Sequence, residues 1–484
     1  MTYEFKTKPY THQKQALKEA RGREAFAYLM EMGTGKTKVA VDEIGISYLD
    51  GLLDAVLVVA PKGVYANWTN IEIPTHMPDD LVRSAAIYLW DGMGTKRSQN
   101  LAERCMTHKG LSILVMNTEA FSSSKKAIDF ATKYLKSRRA AIFIDESTLI
   151  KNHSSARTKA LVRLSPLAKF RRIMTGSPVT RSPLDFFAQF QFLKAGLLGT
   201  SNWFAFRSRY AILEQKVFGG RSVLTVSGYQ NLPDLTERVR NHSFRVLKED
   251  CLDLPPKVFI RREVDLTEEQ AKAYAQMRDE AFAELENEQF ASATAVITQI
   301  MRLHQIVCGH VTNADGELVR IPSKRVDSLL ELSEELTGKT IVWARYREDI
   351  RSICAALRDV YGDRAVVEYH GGTRTEERAS AVERFQKDPT CLFFVANQST
   401  GGYGITLTAA SNVVYYSNDY DLEKRLQSED RAHRSGQTKS VTYVDLVAPG
   451  TVDDKIIEAL INKKNIADLV TGDGARGWFA NREV

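Results

Sequence analysis

Three short stretches, far apart in the chain, carry residues whose types and spacing can do chemistry: MEMGTGKT at 30–37, FIDES at 143–147 and QSEDRAHRSGQ at 427–437. In the first, Gly33 and Gly35 let the backbone turn sharply around Thr34 and aim N–H groups at phosphate oxygens. Lys36 has the reach for β- and γ-phosphates, and the Thr37 hydroxyl can take a place on magnesium. A strand-like run precedes this loop and a helical pattern follows it, which is the context such a motif needs. Met30 stands where the full eight-residue pattern has glycine, and the plain alternative is a glycine-rich turn with a chance GKT. In the second stretch, Asp145 and Glu146 follow an apolar run and so project from a strand tip. Asp145 can face magnesium, while Glu146 serves the attacking water as base or orienter. Alone, such a pair reads as a solvated loop; the phosphate loop upstream reverses that. In the third, Arg431 and Arg434 are three apart and share a face if helical, with Gln427, Asp430 and His433 around them before Gly436. A solvated basic helix face is the competing account. Arginines aimed at a γ-phosphate raise hydrolysis by roughly 10³–10⁵ in nucleotide triphosphatases. Together the stretches imply triphosphate hydrolysis in a site that closes when two lobes meet.

The elements that must position these residues are strand-sized apolar runs alternating with helical patterns. AFAYLM (25–30), AVLVVA (55–60), LSILVM (111–116), AAIFID (140–145) and FRRIMTG (170–176) predict buried parallel strands. A helix is predicted from about Thr37, with Ala40, Ile44 and Tyr48 on one face. Between about 196 and 255 the rhythm fails. Aromatic and basic residues mix there, VFGGRSVLTVSGY reads as a hairpin, and LDLPPK (252–257) breaks the chain between lobes. Thr267 and Gln270 suit a capping box for the next helix. TIVWAR (340–345), AVVEYH (365–370), CLFFVA (391–396), NVVYYS (412–417) and VTYVDLV (441–447) then predict a second set of strands. The expected fold is α/β, with two lobes, each a mostly parallel sheet flanked by helices, and small helical and hairpin insertions. Lobe one is expected over 1–250 with its insertion at about 196–240, a linker over 251–256, lobe two over 257–451 with a helical insertion at about 267–323, and a helical brace over 452–484.

Bulk properties fit that reading. The 484 residues are too many for one ordinary core, and 43% hydrophobic with 26% charged residues is a globular composition. A net charge of +6 permits a local basic groove for nucleic acid without requiring one. Five scattered cysteines with no C-x-x-C pair read as reduced thiols. His304, Cys308 and His310 lie close together but have no fourth ligand at a sensible spacing, so zinc is not expected. The first residues lack the apolar run of a signal peptide and no apolar stretch exceeds strand length, so a soluble cytoplasmic or nucleoid-associated protein without a membrane partner is expected.

These motifs, taken in order, resemble the superfamily-two helicases, and among them the Swi/Snf-type ATPases that translocate on double-stranded DNA. PYTHQ (9–13) is similar to the adenine-reading segment, which implies that Gln13 binds adenine. VVAPKGVYANW (58–68) is similar to a DNA-backbone motif, IDESTLIKN (144–152) to the acidic motif, and MTGSPVTRSP (174–183) to the segment that couples hydrolysis to movement, through Thr175. LPPK, QIMRLHQIVCGH, YHGGTRTEERASAVERFQ, STGGYGITLTAASNVVYYSNDYD and the arginine stretch follow the same family, and DRAHRSGQ separates this branch from ordinary unwinding helicases. The resemblance implies two RecA-like lobes with ATP and Mg2+ in the cleft. Arg431, Arg434 and Gln427 would then serve catalysis, Gly404 coupling, and Lys62, Thr118, Arg345 and Thr400 the DNA backbone. Three positions depart from the family pattern: Thr148 replaces a histidine in the acidic motif, Ser399 an arginine, and Thr406 an asparagine. No histone-reading domain is visible, so nucleosome remodelling is not expected, and the compact build resembles versions found in bacteria and their viruses.

The expected function is therefore a monomeric ATP-driven translocase on double-stranded or branched DNA, with any recruiting protein unidentified. A strand-separating helicase and a nucleotide-gated DNA clamp are the alternatives. A small-molecule kinase fits poorly, because it needs no distant arginines on a second sheet. Trp203, Phe204 and Phe206 offer rings for bases or, more simply, for packing within the insertion.

Overall fold

The apolar runs become the inner strands of two parallel sheets. The structure is a computed structural model that describes residues 3–218, 221–287, 293–312, 317–401 and 405–471. Two units are distinguished: the chain up to Ile212 with Ser227–Leu252 and the stretch from Asn465 onward, and Leu213–Val226 with Asp253–Lys464.

The first unit holds β1 (Ala25–Met30), β2 (Ala55–Ala60), β3 (Ala86–Leu89), β4 (Ser112–Asn117), β5 (Ala140–Asp145) and β6 (Phe170–Met174). A two-stranded hairpin, β7 (Ala211–Phe218) and β8 (Arg221–Tyr229), precedes β9 (Ser243–Val246). The sheet order is β3-β4-β2-β5-β6-β1-β9, parallel throughout. Val56, Val58, Ile113, Val115 and Phe143 pack on Val39 and Ile44 of the helix Lys36–Leu49. A buried polar clamp fixes that helix: Arg172 Nη2 lies 2.6 Å from Glu43 Oε1, and Tyr28 donates its hydroxyl proton to Glu43 Oε2 at 2.7 Å. The burial of a full ion pair is tolerable only because both partners are also hydrogen-bonded.

The second unit holds β10 (Lys257–Glu263), β11 (His310–Thr312), β12 (Leu318–Arg320), β13 (Lys339–Trp343), β14 (Val366–Tyr369), β15 (Phe393–Ala396), β16 (Ala410–Tyr415) and β17 (Val441–Val447). Its main sheet runs β10-β17-β16-β13-β15-β14, again all parallel, while β11 and β12 form an antiparallel pair. The expected capping box is present: Thr267 N–H donates to Gln270 Oε1 at 3.2 Å and Gln270 N–H to Thr267 Oγ1 at 3.1 Å, opening the helix Glu268–Asn287. Arg425 is buried over the Tyr415 ring and reaches Asp445 and Glu429. Two α/β sheets flanked by helices are thus the architecture expected of RecA-like lobes.

Five strands escaped the sequence reading: β3, β9 and β10, each an edge of its sheet, and the short antiparallel pair β11 and β12, which lies where only a helical insertion was expected. His304 and His310 are turned to carboxylates, at 3.3 Å from Asp453 Oδ1 and 3.3 Å from Asp349 Oδ1. Trp203 stacks on His153 with centroids 4.0 Å apart, and Phe206 is buried against Phe187, so these two rings serve packing. Phe204 is exposed. Among the described residues no helix is long and apolar enough to cross a membrane.

Candidate nucleotide site and arginine loop

In an open parallel sheet the loops that can bind ligands gather at the carboxyl ends of the strands. Those of the first unit's sheet supply every residue that the sequence assigned there except Gln13. The phosphate loop leaves β1 and opens the helix Lys36–Leu49, with φ of +82° at Gly33 and +84° at Gly35. A Cβ on Gly35 would stand 2.2 Å from Gln13 Nε2. Gln13 is buried against the loop, donating from Nε2 to the Thr34 carbonyl at 3.1 Å, and His12 Nε2 donates to the same oxygen at 2.8 Å. The Thr34 hydroxyl is directed inward to the Glu31 carbonyl at 2.7 Å. Thr37 lies in the first turn of the helix.

Lys36 Nζ is 3.5 Å from Glu146 Oε1. Glu146 adopts a left-handed backbone conformation, φ +50°, that directs its carboxylate back over the loop, where Oε2 accepts from the Thr175 hydroxyl at 3.3 Å. Asp145, at the tip of β5, accepts from Trp68 Nε1 at 3.0 Å and from the Glu146 amide at 3.1 Å. Burial raises Asp145 above the usual carboxylate range, and Lys36 is the main charge opposing that shift. A buried carboxylate so poorly compensated fits a divalent cation. The loop glycines, Lys36 and the helix N-terminus fit a polyphosphate. ATP with Mg2+ is thus compatible with these residues: Gly33, Gly35 and Lys36 would hold phosphate, and Asp145 and Thr37 the metal.

The coupling segment is tied to the acidic motif by side chains. Besides Thr175, Lys151 Nζ donates to Thr180 Oγ1 at 2.5 Å. Ser147 donates to Gln189 Oε1 at 2.6 Å, and Gln189 Nε2 to the Pro178 carbonyl at 2.8 Å. Thr148, in place of the family histidine, is buried. Lys62 is exposed just after β2. Thr118 corrects an expectation: it is fully buried and its hydroxyl donates to the Ala60 carbonyl at 3.1 Å, so it presents nothing to a DNA backbone in this structure.

The second unit holds the arginines. Gln427 sits on the helix Leu422–Glu429, but that helix ends before Arg431 and Arg434, which stand in a loop of successive turns. The shared helical face expected from their spacing does not exist. Backbone bonds from Arg431 to Ser428 and from Ala432 to Glu429 tighten the helix end, and Leu407 N–H then captures the Arg431 carbonyl at 2.9 Å. Their side chains are anchored instead to Ile405 and Thr406, adjacent residues of one segment: Arg431 donates to the carbonyls of Gln427 at 3.1 Å and Ile405 at 3.0 Å, and Arg434 to Thr406 Oγ1 at 3.0 Å. Thr406, the replacement for a family asparagine, therefore positions Arg434. His433 Nε2 donates to the Pro255 carbonyl at 2.7 Å, tying the loop to the LPPK segment. Arg345 and Thr400 follow β13 and β15. Asn397 joins their loops by donating to the Arg345 carbonyl at 2.6 Å, while Arg345 Nη1 lies 3.8 Å from Asp419 Oδ1. Ser399 is exposed beside them. Gly404 lies outside the described residues.

Sequence reasoning missed Trp68 and His12. Both stood in motifs already singled out, and each is a ring N–H donor, which a buried carboxylate or loop carbonyl requires. Comparison with known proteins agrees with the geometry. Residues 12–311 match the family model of the SNF2-related domain, and 324–436 that of the helicase conserved C-terminal domain. The chain is 28% identical over 452 residues to the DNA annealing helicase and endonuclease ZRANB3 of Bos taurus, covering 92% of this chain and 38% of that protein. It is 26% identical over 466 residues to an ATP-dependent helicase of Mycoplasma pneumoniae, covering 94% of this chain and 41% of that one. It thus spans about two-fifths of the length of these relatives. The Sulfolobus solfataricus SWI2/SNF2 ATPase core in complex with dsDNA aligns over 98% of this chain and 95% of that chain, at 22% identity and a TM-score of 0.43, too distant to carry an argument.

Proposed function

This chain belongs to the SNF2-related domain family, and from that premise we propose that it is a DNA-dependent ATPase that moves as a monomer along double-stranded or branched DNA. The observation that carries the reading is the contact of Lys36 with Glu146, 3.5 Å, beneath the phosphate loop. Without phosphate, the lysine charge is balanced by the carboxylate meant for water. When Lys36 turns to the β- and γ-phosphates, Glu146 Oε1 is released to accept a proton from water or to orient it, and Oε2 keeps its bond to Thr175. That bond gives the coupling segment a direct view of the state of the catalytic carboxylate. Gln13, already against Thr34, reads the adenine edge. Asp145 and Thr37 would hold a magnesium ion, which would supply charge neutralisation at the phosphates.

Arg431 and Arg434 act on the same γ-phosphate when the lobes close, exchanging the Gln427 and Ile405 carbonyls and the Thr406 hydroxyl for phosphate oxygens. Gln427 holds Arg431 through its carbonyl. Lys62, Arg345 and Thr400 grip the DNA backbone without reading sequence, Arg345 by leaving Asp419. Closure on ATP and reopening after hydrolysis, with Gly404 and Thr175 in the coupling path, advance the protein along one strand.

The test is ATP hydrolysis titrated with blunt duplex, forked duplex, single-stranded DNA and RNA, beside displacement of a triplex-forming strand. Duplex is expected to stimulate most, with ATP-dependent, directional triplex displacement. Stronger stimulation by a single strand points instead to a strand-separating helicase, and hydrolysis without displacement to a nucleotide-gated clamp.

A further inference from the structure

The first unit's sheet ends at β3, beyond which no strand is paired among the described residues. Ala86 N–H donates to the Leu111 carbonyl at 2.9 Å and Trp90 N–H to Val115 at 2.8 Å, so β3 meets β4 through its even-numbered residues. Alternate residues of a parallel strand turn their backbone groups to opposite sides, which leaves those of Ile87 and Leu89 on the open edge. Beside the amino end of that edge lies a cleft of about 300 Å³, between the helices Asp79–Ser84 and Lys96–Thr107. The apolar side chains of Val82, Ala85, Ile87 and Leu101 line it together with Arg83 and Arg104. The phosphate loop leaves β1 from the opposite, carboxyl rim of the sheet.

The helix Lys96–Thr107 is built to present this face. Ser98, Ala102 and Cys105 are buried, whereas Arg97, Leu101 and Arg104, at four- and three-residue spacing, share an exposed flank. Leu101 is 40% exposed. Neither Arg97 nor Arg104 has an ion-pair partner among the described residues, while Arg83 pairs with Asp80. A mixed lining of apolar side chains and cations, next to the open edge of β3, matches an extended segment that carries carboxylates around an apolar side chain. A duplex would instead require cations spaced along its phosphates, with no use for the apolar side chains of Leu101 and Val82.

We infer that this cleft docks an extended acidic peptide of a partner protein. The peptide adds to the open edge of β3, seats one apolar side chain against Leu101, Val82 and Ile87, and sets its carboxylates against Arg104 and Arg97.

The experiment is selection of a random peptide display library on the full chain, with counter-selection on the Leu101→Glu/Arg104→Glu variant. The expected result is enrichment of peptides with carboxylates on both sides of an apolar residue. A labelled synthetic copy then binds the wild-type chain in fluorescence anisotropy and binds Arg104→Glu at least about tenfold more weakly. Arg97→Glu, wholly on the surface, carries the test if the double variant fails to fold, and an unchanged melting temperature marks a variant as sound. Three results overturn the proposal: no enrichment over the counter-selected variant, enriched peptides without acidic bias, or equal binding by sound Arg104→Glu and Arg97→Glu. Displacement of the peptide by an excess of short duplex DNA also overturns it, because the cleft then serves nucleic acid.

Discussion

Asp145 and Glu146 share a peptide bond yet meet different surroundings. Asp145 is locked by the Trp68 ring and a backbone amide, whereas Glu146 is swung by its left-handed backbone toward Lys36 and Thr175. A carboxylate with two ordered donors can hold a cation but cannot move. One that faces a lysine and a hydroxyl can accept from water once the lysine leaves. Glu146→Gln keeps the shape and the Thr175 contact but loses basicity, so we expect nucleotide binding to persist while turnover falls roughly 10²–10⁴-fold. Lys36→Ala is expected to lose binding itself. A fluorescent-nucleotide titration beside steady-state phosphate release separates the two, and a Glu146→Gln variant turning over at the wild-type rate would remove the carboxylate from the chemistry. The residues proposed for these roles stood out in the sequence because phosphate chemistry restricts residue types within a few neighbouring positions. The donors that orient them did not, since Trp68 meets Asp145 across 77 residues and only the parallel pairing of β2 with β5 brings them together.

At the scale of elements, inner strands were legible and, of the four edges of the two parallel sheets, only β14 was. The strands β1, β2 and β5 are buried along nearly their whole length and read as continuous apolar runs. By contrast, β10 is KVFIRRE with alternating exposure, β9 is SFRV, and β3 has four residues, because a strand at a sheet edge meets solvent and needs no unbroken apolar face. Arg431 and Arg434 failed for a related reason: their spacing suits a helix, but the polar stretch that follows Glu429 is captured by Leu407 and Thr406 instead. Tertiary contacts also set the charge of buried groups, as in the helix Arg347–Tyr361. Burial pushes Asp349 up to about 7, although the Ser417 hydroxyl, Arg325, the Tyr346 amide and Cys308 oppose it, and His310 lies 3.3 Å away. The folded protein therefore binds this proton more tightly than the unfolded chain. The stability so gained is complete below the ordinary carboxylate range and is lost as pH rises to about 7. His304 and His310, both lowered chiefly by burial, contribute in the opposite sense, and both remain in an Asp349→Asn variant. The difference between the two proteins thus reports Asp349 together with its effect on the neighbouring His310. Thermal melts from pH 5 to 8 are expected to show the variant gaining on the wild type with rising pH, by about 2 °C or more at the upper end. Parallel curves would place a counter-charge at Asp349 in solution.

For the whole molecule, the net charge of +6 is small for 484 residues, so affinity for DNA must come from cations placed locally. The residues proposed to face DNA stood out least in the sequence, because lysines, arginines and threonines able to meet a phosphate occur all over a protein surface, and Thr118 is buried. If Lys62 neutralises one phosphate, Lys62→Ala weakens binding equally on any duplex sequence and flattens the log–log salt slope by about 0.9. An unchanged slope in salt-titrated duplex binding would take Lys62 off the DNA. Hydrolysis sets the stricter test, since the proposed site draws Lys36, Asp145 and Glu146 from one unit and Arg431 and Arg434 from the other. Arg434 donates to a neutral partner, the Thr406 hydroxyl, and sits at the half-buried surface of its loop. Its removal therefore leaves the fold and the nucleotide pocket of the first unit intact. Arg434→Ala should bind ATP and duplex as the wild type does yet hydrolyse at saturating duplex about 10³-fold more slowly or worse, the loss seen when an arginine finger is removed. Thr406→Ala, which frees the arginine without deleting it, should fall between the two. Wild-type hydrolysis by Arg434→Ala would confine the chemistry to the first unit, and lobe closure could then no longer be what couples ATP to movement.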